Sequence, residues 1–114
     1  MIQRHLNRQG YEVATARDGR EALEKVESEH PDLIVLDMMM PYMDGFQVLE
    51  TLQANPTTQT IPIVLITAKP SDWGWEQSLK DMAPHTRVQN LYKPVDPARV
   101  SAAVRLLLEA PGEE

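Results

Sequence analysis

The chain has 114 residues, 42% of them hydrophobic and 25% charged, which fits one globular domain and is too short for two. A net charge of -6 argues against nucleic acids and anionic membrane surfaces as direct partners. The absence of cysteine excludes a disulfide framework, a thiolate metal site and a cysteine nucleophile, and no apolar run approaches the length of a membrane span.

In chain order, Met1 to Gln9 carries Ile2 and Leu6 at helical spacing and stops at Gly10, so it reads as the end of a helix. Tyr11 to Ala16 reads as a short, weakly alternating strand. Asp18-Gly19 turns into a helix from Arg20 to Glu29, with Ala22, Leu23 and Val26 on one face, and Pro31 ends it. Asp32-Leu-Ile-Val-Leu-Asp37 is an apolar run without polar alternation that ends in a carboxylate. Such a run predicts a strand buried on both faces, as in a parallel sheet covered by helices.

Pro41 and Asp44-Gly45 mark a turn after it, with Asp44 placed to cap a helix whose buried stripe is Phe46, Leu49 and Leu52. Asn55-Pro56 closes that helix. Ile61 to Thr67 is a second continuous apolar run, again ending in a polar residue. Ser71 to about Met82 is expected to be helical, with Trp75, Leu79 and Met82 on one side. Val88 to Tyr92 is a short strand before Lys93-Pro94. Asp96-Pro97 opens the last helix, cap then proline, with Val100, Val104, Leu107 and Leu108 as its apolar face. Residues 110–114 form a loose tail behind a domain spanning 1–109. His5, His30 and His85 stand at no metal-ligand spacing and are expected at the surface.

Alternating helices and strands imply an α/β fold with a parallel sheet covered on both faces. Right-handed crossovers bring the strand ends to one edge, where ligands of open α/β sheets lie. Three strands then deliver Asp37, Thr67 and Lys93 there: a carboxylate, a hydroxyl and a cation. A carboxylate can attack a phosphoryl donor and form an acyl phosphate, and a hydroxyl and an ammonium can stabilise the charge on the transferring oxygens.

On these residues the chain resembles the receiver domain of two-component response regulators. The motifs that carry the resemblance are Asp37 with Met40-Pro41 and Asp44-Gly45, then Thr67-Ala68, then Lys93-Pro94, with Gly10 to Ala16 matching the second strand of that family. The resemblance implies a flavodoxin-like three-layer fold with strand order 2-1-3-4-5. It implies Asp37 as phosphoacceptor, Thr67 as the hydroxyl that moves toward the phosphoryl group as a switch, and Lys93 as its cationic partner. It further implies a cis Lys93-Pro94 bond, and Mg2+ held by Asp37, the backbone carbonyl of Met39 and an acidic pair at the end of the first strand. That strand and its acidic pair are not in this sequence, so the chain is expected to be a fragment or to carry a mis-assigned start, with half of its metal site encoded. Asn90 stands where the family often has an aromatic or histidine switch residue. Met82-Ala-Pro-His-Thr-Arg87 replaces the usual Gly-Ala-Asp turn.

The function implied is a cytoplasmic, non-enzymatic phosphoacceptor. It takes its phosphoryl group from a sensor histidine kinase or phosphotransfer protein and signals to a downstream protein. The alternative is a receiver-like interaction module that is never phosphorylated. An aspartate-nucleophile phosphatase is disfavoured because Met39 stands where its second aspartate is needed. A nucleotide-binding protein is disfavoured because no glycine-rich phosphate loop follows a strand.

Overall fold

The computed structural model describes residues 2–37, 45–67, 81, 84 and 86–109, the side chain of Phe46 excepted. The elements are α1 (Ile2–Arg8), α2 (Gly19–Glu29), β1 (Ile34–Asp37), α3 (Gly45–Gln53), β2 (Ile63–Thr67), β3 (Val88–Tyr92) and α4 (Pro97–Glu109). The three strands form one parallel sheet in the order β1-β2-β3, with Ile34 beside Ile63 and Leu65 beside Asn90. Parallel neighbours require crossovers, and α3 lies on the one from β1 to β2; α2 and α3 cover one face of the sheet, α1 and α4 the other.

The two faces follow from the period of two along each strand. Leu36, Ile63 and Leu65 point to the side closed by Val26 of α2 and Val48, Leu49 and Leu52 of α3. Val64, Ile66 and Leu91 point to the side closed by Leu6 of α1 and Val100, Val104 and Leu107 of α4. Every residue of the central strand β2 is buried, which is why its sequence shows no polar alternation. Each large aliphatic side chain there stabilises the fold by about 1.5–3 kcal/mol relative to exposure.

Local signals set the helix ends. At the end of α1, Gly10 has φ +99, the Tyr11 N–H donates to the Leu6 carbonyl (3.2 Å) and the Gly10 N–H to the Asn7 carbonyl (3.1 Å). This is the Schellman arrangement, which needs a left-handed residue at that point. Asp18 caps α2 by accepting from the Glu21 N–H at 2.9 Å, and the Glu21 carboxylate reaches back to the Arg17 N–H at 2.6 Å. Two otherwise unpaired donors are thereby satisfied. That hydrogen bond from Arg17, reinforced by the charges of Arg17 and Lys25, holds the Glu21 carboxyl below its ordinary pKa. The α2 helix ends on His30, a left-handed residue with φ 50, immediately before Pro31. Asp96 accepts from the Ala98 N–H at 2.9 Å and opens α4.

Several expectations change. Tyr11 to Ala16 makes no strand ladder, although Tyr11 and Val13 pack on the α1–α4 side. A strand is defined by its pairing partner, and these residues have no neighbouring strand among the described residues. Leu108 is 39% exposed and lies at the margin of the buried stripe of α4, whereas Ala103 is buried. His5 is half-buried rather than superficial, and its Nε2 lies 3.1 Å from the Ser101 hydroxyl, which ties α1 to α4. The helix expected from Ser71 to Met82, apart from Asp81, which is helical, the Asp44 cap, His85, Phe46 as a packing residue and the 110–114 tail lie outside the described residues.

Candidate functional site

β1, β2 and β3 run parallel, so their carboxyl ends share one edge of the sheet. Asp37 is the last residue of β1 and Thr67 the last of β2. Lys93 follows Tyr92, the last residue of β3 and the register partner of Thr67. The Lys93 N–H donates to the Thr67 carbonyl at 2.8 Å, so the backbone continues the β2–β3 ladder one residue beyond the strand. This bond fixes Lys93 against Thr67, and no local sequence signal announces it. The Lys93-Pro94 peptide that follows is cis, in agreement with the bond implied by the resemblance.

The Lys93 Nζ lies 3.2 Å from Asp37 Oδ2, with side-chain exposures of 42% and 44%. A carboxylate on the first strand of the sheet thus meets an ammonium from beyond the third, across the end of the strand between them. Thr67 is 9% exposed. The edge therefore combines a solvent-accessible nucleophile with a cation in contact and a nearly buried hydroxyl on the intervening strand. Such a set can accept an electrophilic anion: the carboxylate attacks, and the cation and hydroxyl take up charge on the anion's oxygens.

Of the site residues implied by the sequence, the structure brings together Asp37, Thr67 and Lys93. Met39 lies outside the described residues. Magnesium takes oxygen ligands in near-octahedral geometry, usually one or two carboxylates with waters and phosphate. No three acidic or imidazole side chains converge among the described residues. They supply one implied ligand, Asp37, whose carboxylate is engaged by Lys93. Among the described residues the magnesium site implied by the family is thus represented by Asp37 alone. No described helix is long and apolar enough to cross a membrane.

Comparison with known proteins agrees with this architecture. The response regulator receiver domain family matches residues 1–105. The alkaline phosphatase synthesis transcriptional regulatory protein PhoP of Bacillus subtilis (strain 168) is 39% identical over 112 residues, covering 95% of this chain and 42% of that protein. Response regulator PleD of Caulobacter vibrioides is 42% identical over 107 residues, covering 94% of this chain and 23% of that protein. The chain thus spans less than half the length of these relatives. Among solved structures, the chemotaxis response regulator CheY4 of Vibrio cholerae superposes with a TM-score of 0.82 at 30% identity, covering 95% of this chain and 87% of that one. The receiver domain of a sensor histidine kinase from Pseudomonas aeruginosa PAO1, which holds a magnesium ion in its active site cleft, gives a TM-score of 0.78 at 24% identity, covering 96% of this chain and 86% of that one. At that identity the likeness concerns the fold alone.

Proposed function

The chain belongs to the response regulator receiver domain family of two-component systems, with its flavodoxin-like fold, and on that premise we propose that it accepts a phosphoryl group on Asp37. A carboxylate oxygen of Asp37 attacks the phosphorus of a phosphohistidine or of a small acyl phosphate. The new P–O bond forms as the bond to the donor breaks, and the donor's imidazole or carboxylate leaves with the electron pair. The Lys93 ammonium, already 3.2 Å from the Asp37 carboxylate, pairs with a phosphoryl oxygen, and the Thr67 hydroxyl donates to another. The single observation that carries this reading is the Asp37–Lys93 contact at the shared strand edge.

Phosphorylation adds roughly -1.5 to -2 charge at neutral pH. Thr67 and Lys93 rearrange around that charge and bias a surface read by a downstream protein. The donor is a sensor histidine kinase or phosphotransfer protein, and the setting is cytoplasmic. Beyond its own phosphorylation and dephosphorylation the chain acts on no separate substrate. Asp37, with further oxygen ligands, would hold Mg2+, which would offset charge on the phosphoryl oxygens. The test is incubation with acetyl phosphate and magnesium followed by intact mass measurement, with Asp37→Asn as the control.

The second reading is a receiver-like interaction module that carries no phosphoryl group. It is favoured by the one-ligand metal site among the described residues. The two readings separate on whether a phosphoryl adduct forms at all.

A further inference from the structure

A cleft between the ends of α2 and α3 lies at the edge of the sheet opposite to Asp37. Both helices run back toward the amino ends of the strands: α2 ends at Glu29 before β1 starts at Ile34, and α3 ends at Gln53 before β2 starts at Ile63. Phosphotransfer uses nothing here. The cleft has a volume of about 130 Å3, and Leu23, Val26 and Leu52 give it an apolar lining. A cavity of roughly 150 Å3 takes benzene, so this one has room for about five or six non-hydrogen atoms.

The polar lining is rich in acceptors. Thr51, Thr57 and Thr58 border the cleft, and the protein already uses the proton of each hydroxyl. Thr51 donates to the Gln47 carbonyl (2.9 Å), Thr57 to Asn55 Oδ1 (2.9 Å) and Thr58 to the Leu52 carbonyl (2.7 Å). What each hydroxyl retains for a ligand is lone pairs. Glu27, also on the lining, is a carboxylate that offers acceptors alone and makes no ion pair among the described residues. The donors among the lining side chains are the His30 imidazole and the amide NH2 of Asn55, whose oxygen accepts from the Thr57 N–H at 3.0 Å.

The helix ends add a field of the same sign. A helix C-terminus carries about half a negative charge and favours a cation. Two such ends meet here, and neither helix has a basic residue in its last turn. The lysine of α2, Lys25, donates to the Thr15 carbonyl at 2.6 Å. An anion in the cleft would face Glu27 and both helix ends, and an inorganic cation would leave the apolar lining uncovered. We propose that this cleft binds a short, free primary alkylammonium ion. Its ammonium donates to Glu27 and the threonine oxygens, and its chain lies against Leu23, Val26 and Leu52. The site is independent of phosphorylation at Asp37.

Titration of the chain with n-butylammonium chloride at constant ionic strength, followed by backbone amide chemical shifts, tests it. Saturable shifts are expected at Glu27, His30, Leu52, Thr57 and Thr58 and none at Asp37 or Lys93. For five non-hydrogen atoms the expected Kd is roughly 1–10 mM. n-Butanol, which keeps the chain and lacks the charge, binds about tenfold more weakly or worse. Glu27→Gln weakens the amine by about three- to tenfold, as loss of a half-solvated ion pair should, and leaves n-butanol unaffected. Glu27 is exposed, so this variant keeps its fold, which its amide spectrum verifies. Shifts that do not saturate by about 50 mM, well above the expected Kd, overturn the proposal. So does n-butanol binding as tightly as the amine, or an amine affinity indifferent to Glu27→Gln.

Discussion

Replacing Lys93 with methionine separates two roles that one contact could serve. The Asp37–Lys93 distance is 3.2 Å, and Coulomb's law gives about 1 kcal/mol for unit charges at that distance in a water-like dielectric. Both side chains are more than two-fifths exposed, so ordering two side chains and screening by salt erode that further, to about 0.2–1 kcal/mol. Lys93→Met should therefore shift the urea midpoint by an amount worth less than about 1 kcal/mol, with an unchanged slope. The same lysine faces roughly twice the charge once a phosphoryl group sits on Asp37, and that charge is present in the transferring group and not in the resting carboxylate. Interactions made only at that stage lower the barrier. Loss of one such donor at a charged reacting centre slows reaction by roughly 100–1,000-fold in well-preorganised sites. At this half-exposed edge we expect about 10–100-fold slower adduct formation from acetyl phosphate, followed by mass. A variant destabilised by more than about 2 kcal/mol would make the pair a structural element. A variant phosphorylated at the parent rate would remove Lys93 from the chemistry.

Three further predictions concern the scaffold. Leu65→Ala removes a fully buried side chain of the central strand and should cost about 2–5 kcal/mol by denaturant titration. A cost below about 1 kcal/mol would contradict the packing described. Gly10→Ala meets no atom within 4 Å but must hold φ +99, so it should destabilise by about 1–2 kcal/mol through backbone strain alone. Glu21 has a lowered folded-state pKa, first from the Arg17 backbone hydrogen bond. Its contribution is present above the unfolded carboxylate pKa and is lost as pH falls through the lowered folded value. Glu21→Gln should therefore flatten the acid limb of the Tm-against-pH curve, and a variant that follows the parent curve would refute the cap.

Much of the site was legible because its residues sit at places where patterns break. Asp37 and Thr67 each end an apolar run, and Lys93 precedes a proline, so strand ends and chemistry were marked by the same residues. The Asp18-Gly19 turn marked where α2 begins, whereas the pairing of Asp18 and Glu21 across the first turn emerged only in the structure. What escaped was non-local. Tyr11 to Ala16 has strand-like residues, but its conformation depends on a neighbour that its own sequence does not specify. His5 looked superficial because its partner, Ser101, lies 96 residues away in sequence. The Lys93 N–H to Thr67 carbonyl bond depends on the β2–β3 register, which a sequence fixes only through the packed sheet. Leu108 follows the helical period of the α4 stripe yet falls at its margin, where the sheet no longer covers it.

The central claim is that Asp37 is a phosphoacceptor, and intact mass spectrometry after treatment with acetyl phosphate and magnesium addresses it most directly. The account predicts a mass increase of one phosphoryl group, labile to hydroxylamine as an acyl phosphate and absent from Asp37→Asn. No adduct, or an adduct that persists in Asp37→Asn, would contradict it.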